Sequence, residues 1–249
     1  RNDIKQPTQY AMLTQDKLYD KAASCNLYPT VGDKYFTYEE LEKKIKKLQT
    51  DKDGNLIILY AQNKDEQYTY IESAKEKGYE VLLLDSPIIP HLMQKLESKK
   101  EKIKFSRVDS DTLENLIKKD EEVISKLTDE EKEKLKPMIE TAVENEKYTV
   151  QLEALDSNSM PFMLAQPEFM RRMKEMQQTG GGAMGNLPEM YSLIVNTNHE
   201  LVGKILNTRT EKKRNSLIKQ SIDLAKLSQN NLTGKDLTEF INRSIDLIK

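Results

Sequence analysis

Two uninterrupted apolar runs leave this chain little choice of fold. In Asn55-Leu56-Ile57-Ile58-Leu59-Tyr60-Ala61 no position after Asn55 is polar, the pattern of a strand covered on both faces. Asp53-Gly54 is the turn that leads into it. Tyr79 to Leu84 is a second such run, and Lys102 to Val108 reads as a third strand. Between them residues 66–77, closed by Gly78, and Ile88 to Leu96, with Ile89, Leu92, Met93 and Leu96 on one side, have helical spacing. Strands alternating with helices in this order specify a parallel α/β unit. Ahead of it, Thr37-Tyr38-Glu39-Glu40 has the form of a capping box and predicts a helix over 38–49, while residues 10–24 read as a helical lead-in.

The second half has a different rhythm. Residues 109–125 are polar with sparse apolar positions and read as a linker helix, after which Thr128-Asp129-Glu130-Glu131 is another capping box. This places a domain boundary between 127 and 128. Short strands are expected over 148–155, 159–165 and 189–196, giving an α+β domain. Seven of the ten methionines fall between Met160 and Met190. After Pro167, Phe169, Met173 and Met176 stand at i, i+4 and i+7 with Met170 beside them, so the segment is a short amphipathic helix. It runs into Thr179-Gly180-Gly181-Gly182, a costly sequence to order, which predicts a weakly anchored helix. Its soft face is either core packing or an adaptable binding surface, and spacing does not choose. In the tail, a helix from Thr210 to Ser228 carries Leu217, Ile218, Ile222, Leu224, Ala225 and Leu227, and a last helix from Asp236 to Lys249 carries Leu237, Phe240, Ile241, Ile245, Leu247 and Ile248. Such broad stripes either pack on the preceding sheet or build a four-helix bundle with a second copy.

Several function classes are disfavoured. Basic and acidic side chains number 39 and 41, a net charge of −2, so no bulk field draws the chain to nucleic acid or an anionic membrane. No run approaches the ~20 apolar residues of a membrane span. One cysteine, Cys25, allows no internal disulfide, and with only His91 and His199 there is no zinc pattern; a reducing compartment, the cytoplasm, is expected. The loop after the first strand, Gln62-Asn63-Lys64-Asp65-Glu66, has no glycine and two acids, a poor phosphate cradle. Gly180 to Gly185 satisfies G-x-G-x-x-G literally but follows a helix and precedes a strand, the reverse of the required context.

The order of methionine-rich helix, glycine loop, the strand Pro188-Glu189-Met190-Tyr191-Ser192-Leu193-Ile194-Val195-Asn196 and then Asn198-His199-Glu200-Leu201-Val202 resembles the C-terminal domain of the ninety-kilodalton heat-shock chaperone family. There the strand runs into Asn-Pro-Asp-His; here Thr197 and Asn198 stand between Asn196 and His199. Glu76-Lys77-Gly78-Tyr79-Glu80-Val81-Leu82-Leu83-Leu84-Asp85 is similar to the α/β part of the same family's middle domain, with Ile89, Pro90 and His91 where the family has an acidic pair and an aromatic used in substrate contact. The resemblance implies that residues 1–127 are the C-terminal part of a middle domain, a small α/β/α unit with a linker helix. Residues 128–249 would be an α+β dimerisation domain whose last two helices join an intermolecular four-helix bundle. It implies a homodimer through Leu217, Ile218, Leu224, Leu237, Phe240, Ile241, Ile245 and Ile248, and capture of partly folded client proteins by Phe169, Met170, Met173 and Met176. Contact with another chaperone through the middle domain is a further implied partner. ATP and Mg²⁺ belong, in the family, to an N-terminal domain, and a phosphate-sensing arginine comes from a segment upstream. The chain is thus expected to be a fragment that is not itself an enzyme and holds no cofactor. The end at Ile248-Lys249, without an acidic docking tail, matches the bacterial type. The competing readings are a stand-alone α/β ligand-binding domain with a helical dimerisation tail, which requires a glycine-rich or charged loop after Leu59 or Leu84, and an inert adaptor.

Overall fold

The computed structural model describes residues 9–13, 16–120, 123–143, 147–180 and 190–248. Gly181 to Gly185 and the first position of the expected third strand, Glu189, lie outside them. The chain divides into two units, one holding the described residues up to Asp120 together with the helix that begins at Glu168, the other holding residues 123–167 and those from Met190 onward.

The first unit runs α1 (Asp16–Cys25), β1 (Tyr28–Pro29), β2 (Tyr35–Phe36), α2 (Tyr38–Gln49), β3 (Leu56–Ala61), α3 (Tyr68–Glu76), β4 (Val81–Leu83), α4 (Ile89–Lys99), β5 (Ile103–Arg107) and α5 (Leu113–Leu116). The capping box that predicted α2 is present: Glu40 N donates to Thr37 Oγ1 at 3.3 Å, and Thr37 N donates to the Glu40 carboxylate at 2.8 Å. α3 ends where Gly78 takes φ +75°, a conformation a side chain resists, and Gly78 N donates back to Lys75 O. All six residues of β3 are buried, because β3 is the centre of a parallel sheet of order β4-β3-β5. Leu41 and Ile45 of α2, Leu92 and Leu96 of α4, and Ile58, Tyr60, Leu82 and Phe105 of the strands share one core. The parallel α/β reading holds.

The outer edge of β4 is closed by the β1 loop, through Val31 N to Val81 O at 3.0 Å. β5 is the other edge. Among the described residues of 109–125, the expected linker helix is corrected to the single turn α5. Asp111 Oδ1 accepts from Thr112 N and Asn115 Nδ2, and Thr112 caps Asn115 N, so short polar side chains capture the backbone that a longer helix needs. Leu113 and Ile117, at 9% and 1% exposure, belong to the first unit's interior.

The second unit has α6 (Asp129–Glu140), β6 (Tyr148–Glu153) and β7 (Phe162–Ala165); the chain then contributes α7 (Glu168–Gly180) to the first unit and returns as β8 (Tyr191–Asn196), α8 (Glu200–Asn207), α9 (Glu211–Ser228) and α10 (Gly234–Ile248). The sheet order is β6-β8-β7, with β8 parallel to β6 and antiparallel to β7. Leu193, Ile194 and Val195 of β8 are fully buried as its middle strand. α9 covers one face with Ile218, Ile222 and Ala225, and Gln229 Nε2 donates to Leu164 O at 3.0 Å.

Candidate functional site

The methionine-rich helix α7 is where sequence and structure part most. Its charged residues tie it to the first unit. Glu168, in the first turn where a carboxylate suits the helix dipole, accepts from Tyr60 Oη at 2.7 Å, Arg171 Nη2 at 2.6 Å and Arg172 Nε at 2.7 Å on one oxygen, and from the Arg107 backbone N at 3.1 Å on the other. Arg171 also donates to Tyr60 Oη and to Glu175, and its side chain is 4% exposed. Arg172 reaches Glu97 Oε2 of α4 at 2.8 Å and the carbonyl of Phe105 in β5. Arg107 pairs with Asp109 at 2.6 Å and donates to Gln62 Oε1 at 2.9 Å, while Gln62 Nε2 donates to Glu175 at 3.3 Å. The expectation of a weakly anchored helix is therefore corrected. The glycines that follow α7 say nothing about its flank, and two arginines whose hydrogen bonds are supplied by the unit are costly to pull out.

Burial alone would raise the Glu168 carboxyl, yet the guanidiniums of Arg171 and Arg172 and the donors of Arg171 and Tyr60 hold it below its usual value of 4.5. Burial, and then the Glu168 carboxylate, push the Tyr60 hydroxyl above the phenol range, keeping it a donor. A depressed folded-state value means stabilisation that is complete above the unfolded value and lost as pH falls through the folded one. The melting temperature of the chain is thus expected to fall on acidification below about pH 4.5, and to fall less in Glu168→Gln; equal slopes in the two proteins would show that Glu168 does not anchor α7.

With the arginines turned inward, Phe169 is 71% exposed, and Met170, Met173 and Met176 are half-buried. The four residues picked from the sequence thus form no buried core of their own. In the tail the expected residues separate. Ile218 is fully buried among Leu193, Val195 and Val202 and serves its own subunit's core. Leu217, Leu237 and Phe240 are half-buried. Leu224, Ile241, Ile245 and Ile248 are exposed by 44, 47, 47 and 85%, joined by Leu227 at 40%. Ile241, Ile245 and Ile248 stand at i, i+4 and i+7, one face of α10.

The motif after β8 is a polar clamp. Asn196, Thr197 and Asn198 are buried. Asn196 Oδ1 accepts from Leu155 N and Asn198 N; Asn198 accepts from Lys126 N at 2.6 Å and donates to Ile124 O and Leu155 O at 3.0 Å; Ser125 donates to Thr197 Oγ1 at 2.9 Å. It ties residues 124–127 to the end of β8. His199 caps α8, its Nδ1 accepting from Leu201 N at 3.0 Å, a structural use of the imidazole. At the turn for which the resemblance implies substrate contact, Ile89 and Pro90 are buried in α4.

No family model matches the chain. Among curated proteins it is similar to the chaperone protein HtpG of Bacteroides thetaiotaomicron, 36% identical over 316 aligned positions covering 99% of this chain and 46% of the relative. The HtpG of Porphyromonas gingivalis is 38% identical over 231 positions, covering 91% of the chain and 34% of that protein. An HtpG of Bacteroides fragilis is 35% identical over 99% of the chain. These matches fall on the C-terminal part of the relatives.

The chain belongs to the HtpG chaperone family.

It spans about half or less of the length of the HtpG relatives it matches, 46% and 34% in the two first named. The expectation that the chain is not an enzyme is corrected by this membership, because HtpG chaperones are ATPases as a family. That expectation rested on the resemblance, which places ATP in an N-terminal domain and the phosphate-sensing arginine in a segment upstream, and on finding no phosphate cradle, acid and base together in one motif. Among the described residues no helix is long and apolar enough to cross a membrane. Sequence reasoning missed Glu168, Arg171, Arg172 and Tyr60. The spacing Glu168-x-x-Arg171-Arg172-x-x-Glu175 was the signal for them, since it lines up carboxylates and guanidiniums at i+3 and i+4 along one side of a helix.

Proposed function

We infer that the chain works as part of a homodimeric HtpG chaperone, pairing through α9 and α10 and capturing partly folded proteins with Phe169 and the neighbouring Met170, Met173 and Met176. The observation that carries this is the apolar surface left uncovered: Ile241, Ile245 and Ile248 along α10, with Leu224 and Leu227 on α9. A helix keeps such a stripe outward for an interface, and a second copy offers the same stripe under two-fold symmetry. For capture, the support is Phe169 standing outward beside methionines, unbranched and polarisable side chains that repack against many shapes. Partly folded proteins present the apolar surface to which such a face binds. In this reading ATP with Mg²⁺ drives the cycle of the complete chaperone, in the cytoplasm.

Light scattering of the chain at micromolar concentration is expected to give twice 28.8 kDa. Phe169→Ser with Met173→Ser should leave that mass unchanged and weaken suppression of aggregation of a thermally unfolding probe protein several-fold. A 28.8 kDa particle sinks the pairing; undiminished suppression by the double variant sinks the capture face.

A further inference from the structure

The outer edge of β5 is hydrogen-bonded to side chains where a neighbouring strand would stand. Leu56 N donates to Lys102 O and Val108 N donates to Tyr60 O, so in this parallel pair the even-numbered residues of β5 face β3, and Ile103, Phe105 and Arg107 turn their peptide groups outward. Phe105 N donates to Glu97 Oε1 at 2.7 Å, Phe105 O accepts from Arg172 Nη2, and Arg107 N donates to Glu168 Oε2 at 3.1 Å. An acceptor, a donor and an acceptor thus occupy the places that an added strand's carbonyl, amide and next carbonyl would take. Two of the three, Glu168 and Arg172, come from α7. This is how folded proteins blunt an edge that would otherwise template pairing with another chain.

We propose that β5 is a strand-docking edge plugged by α7, and that when α7 leaves, the edge takes up an extended, basic segment of a non-native chain by main-chain pairing. This rests on the chaperone reading and adds a second, backbone-directed site to it. The occupant is basic because withdrawal of Arg172 leaves Glu97 without that guanidinium, while Arg107 stays committed to Asp109. Main-chain pairing suits an occupant of unspecified sequence, since every residue but proline supplies the same donor and acceptor. The plug sets the apparent affinity, because only the fraction of molecules with the edge open can bind.

The test compares the parent chain with Glu168→Gln/Arg172→Gln, using a labelled decapeptide that alternates valine and lysine and a control that alternates valine and glutamate. The double variant is expected to bind the lysine peptide about tenfold more tightly or better, as removal of a closed state requires, and the glutamate peptide no better than the parent does. Arg107→Pro, which deletes an outward N–H, should abolish the gain in this background, and Arg107→Ala, which keeps the N–H, should retain it. Hydrogen exchange should show the Phe105 and Arg107 amides slowed by the lysine peptide. A gain that survives Arg107→Pro, an unplugged variant with no gain, or binding without slowed exchange at these two amides overturns the proposal. If the unplugged variant does not fold, the exchange measurement on the parent at saturating peptide decides in the same way. Dimer mass and Phe169-dependent capture are read separately, so this edge can fail while the chaperone reading stands.

Discussion

Ile241→Asp combined with Ile245→Asp is expected to convert the chain to a 28.8 kDa particle with its helix content intact. Both side chains are 47% exposed in the isolated subunit, so each has about half of its surface left to hide. Covering an isoleucine fully is worth about 1.5–3 kcal/mol, and in an isologous contact each substitution counts twice. Placing carboxylates in that contact adds a desolvation cost with no partner to offset it. Together these make the loss at least about 4 kcal/mol, a thousandfold or more in the dimer Kd. The subunit itself should tolerate the change, because Arg243 of α10 pairs with Asp223 of α9, Gln220 donates to Ser244, and Ile218, Ile222 and Ala225 hold α9. Ile218→Asp is the contrasting case. That residue is fully buried within its own subunit, so the variant should unfold the second unit rather than split a dimer. An unchanged mass for the double aspartate variant, by light scattering at the same concentration, would show that the α10 stripe is covered in some other way.

Local codes in this chain were readable and long-range ones were not. The boxes at Thr37 and Thr128 start α2 and α6 where the sequence places them, since cap and partner lie three residues apart. The apolar run of β3 announced a strand buried on both faces for the same reason, each residue reporting its own environment. What periodicity reports is that a helix has a face, not what the face meets. Ile218 and Leu224 belong to one apolar stripe in the sequence, yet the first is inside and the second outside, a distinction made by the position of β7 and β8. The docking of α7 was least legible. It joins Tyr60 to Glu168, 108 positions apart, and it does so by burying arginines, the side chains that composition assigns to solvent. The order β6-β8-β7, with one parallel and one antiparallel pair, likewise rests on a long-range pairing, of β6 with β8.

Arg171→Met is expected to release α7 from the first unit. The arginine side chain is 4% exposed and engages Glu168, Glu175 and Tyr60, so methionine keeps the packing volume of the stem and removes every donor. Removing one member of a buried ionic network costs about 3–5 kcal/mol, because the groups left behind stay desolvated; here these are the carboxylates of Glu168 and Glu175. Arg172 still neutralises part of Glu168, which places the expected loss at the lower end of that range. The readout is hydrogen exchange of α7: its amides should lose most of their protection in Arg171→Met, while those of β3 and β4, held by the parallel sheet, keep theirs. Tyr60→Phe should give a smaller version of the effect, about 1–3 kcal/mol, since it deletes one hydroxyl from the same cluster and leaves both charges paired. Undisturbed α7 protection in Arg171→Met would mean that apolar contacts, not the ionic network, seat the helix. The strand edge of β5 would then have to be opened by displacing those contacts.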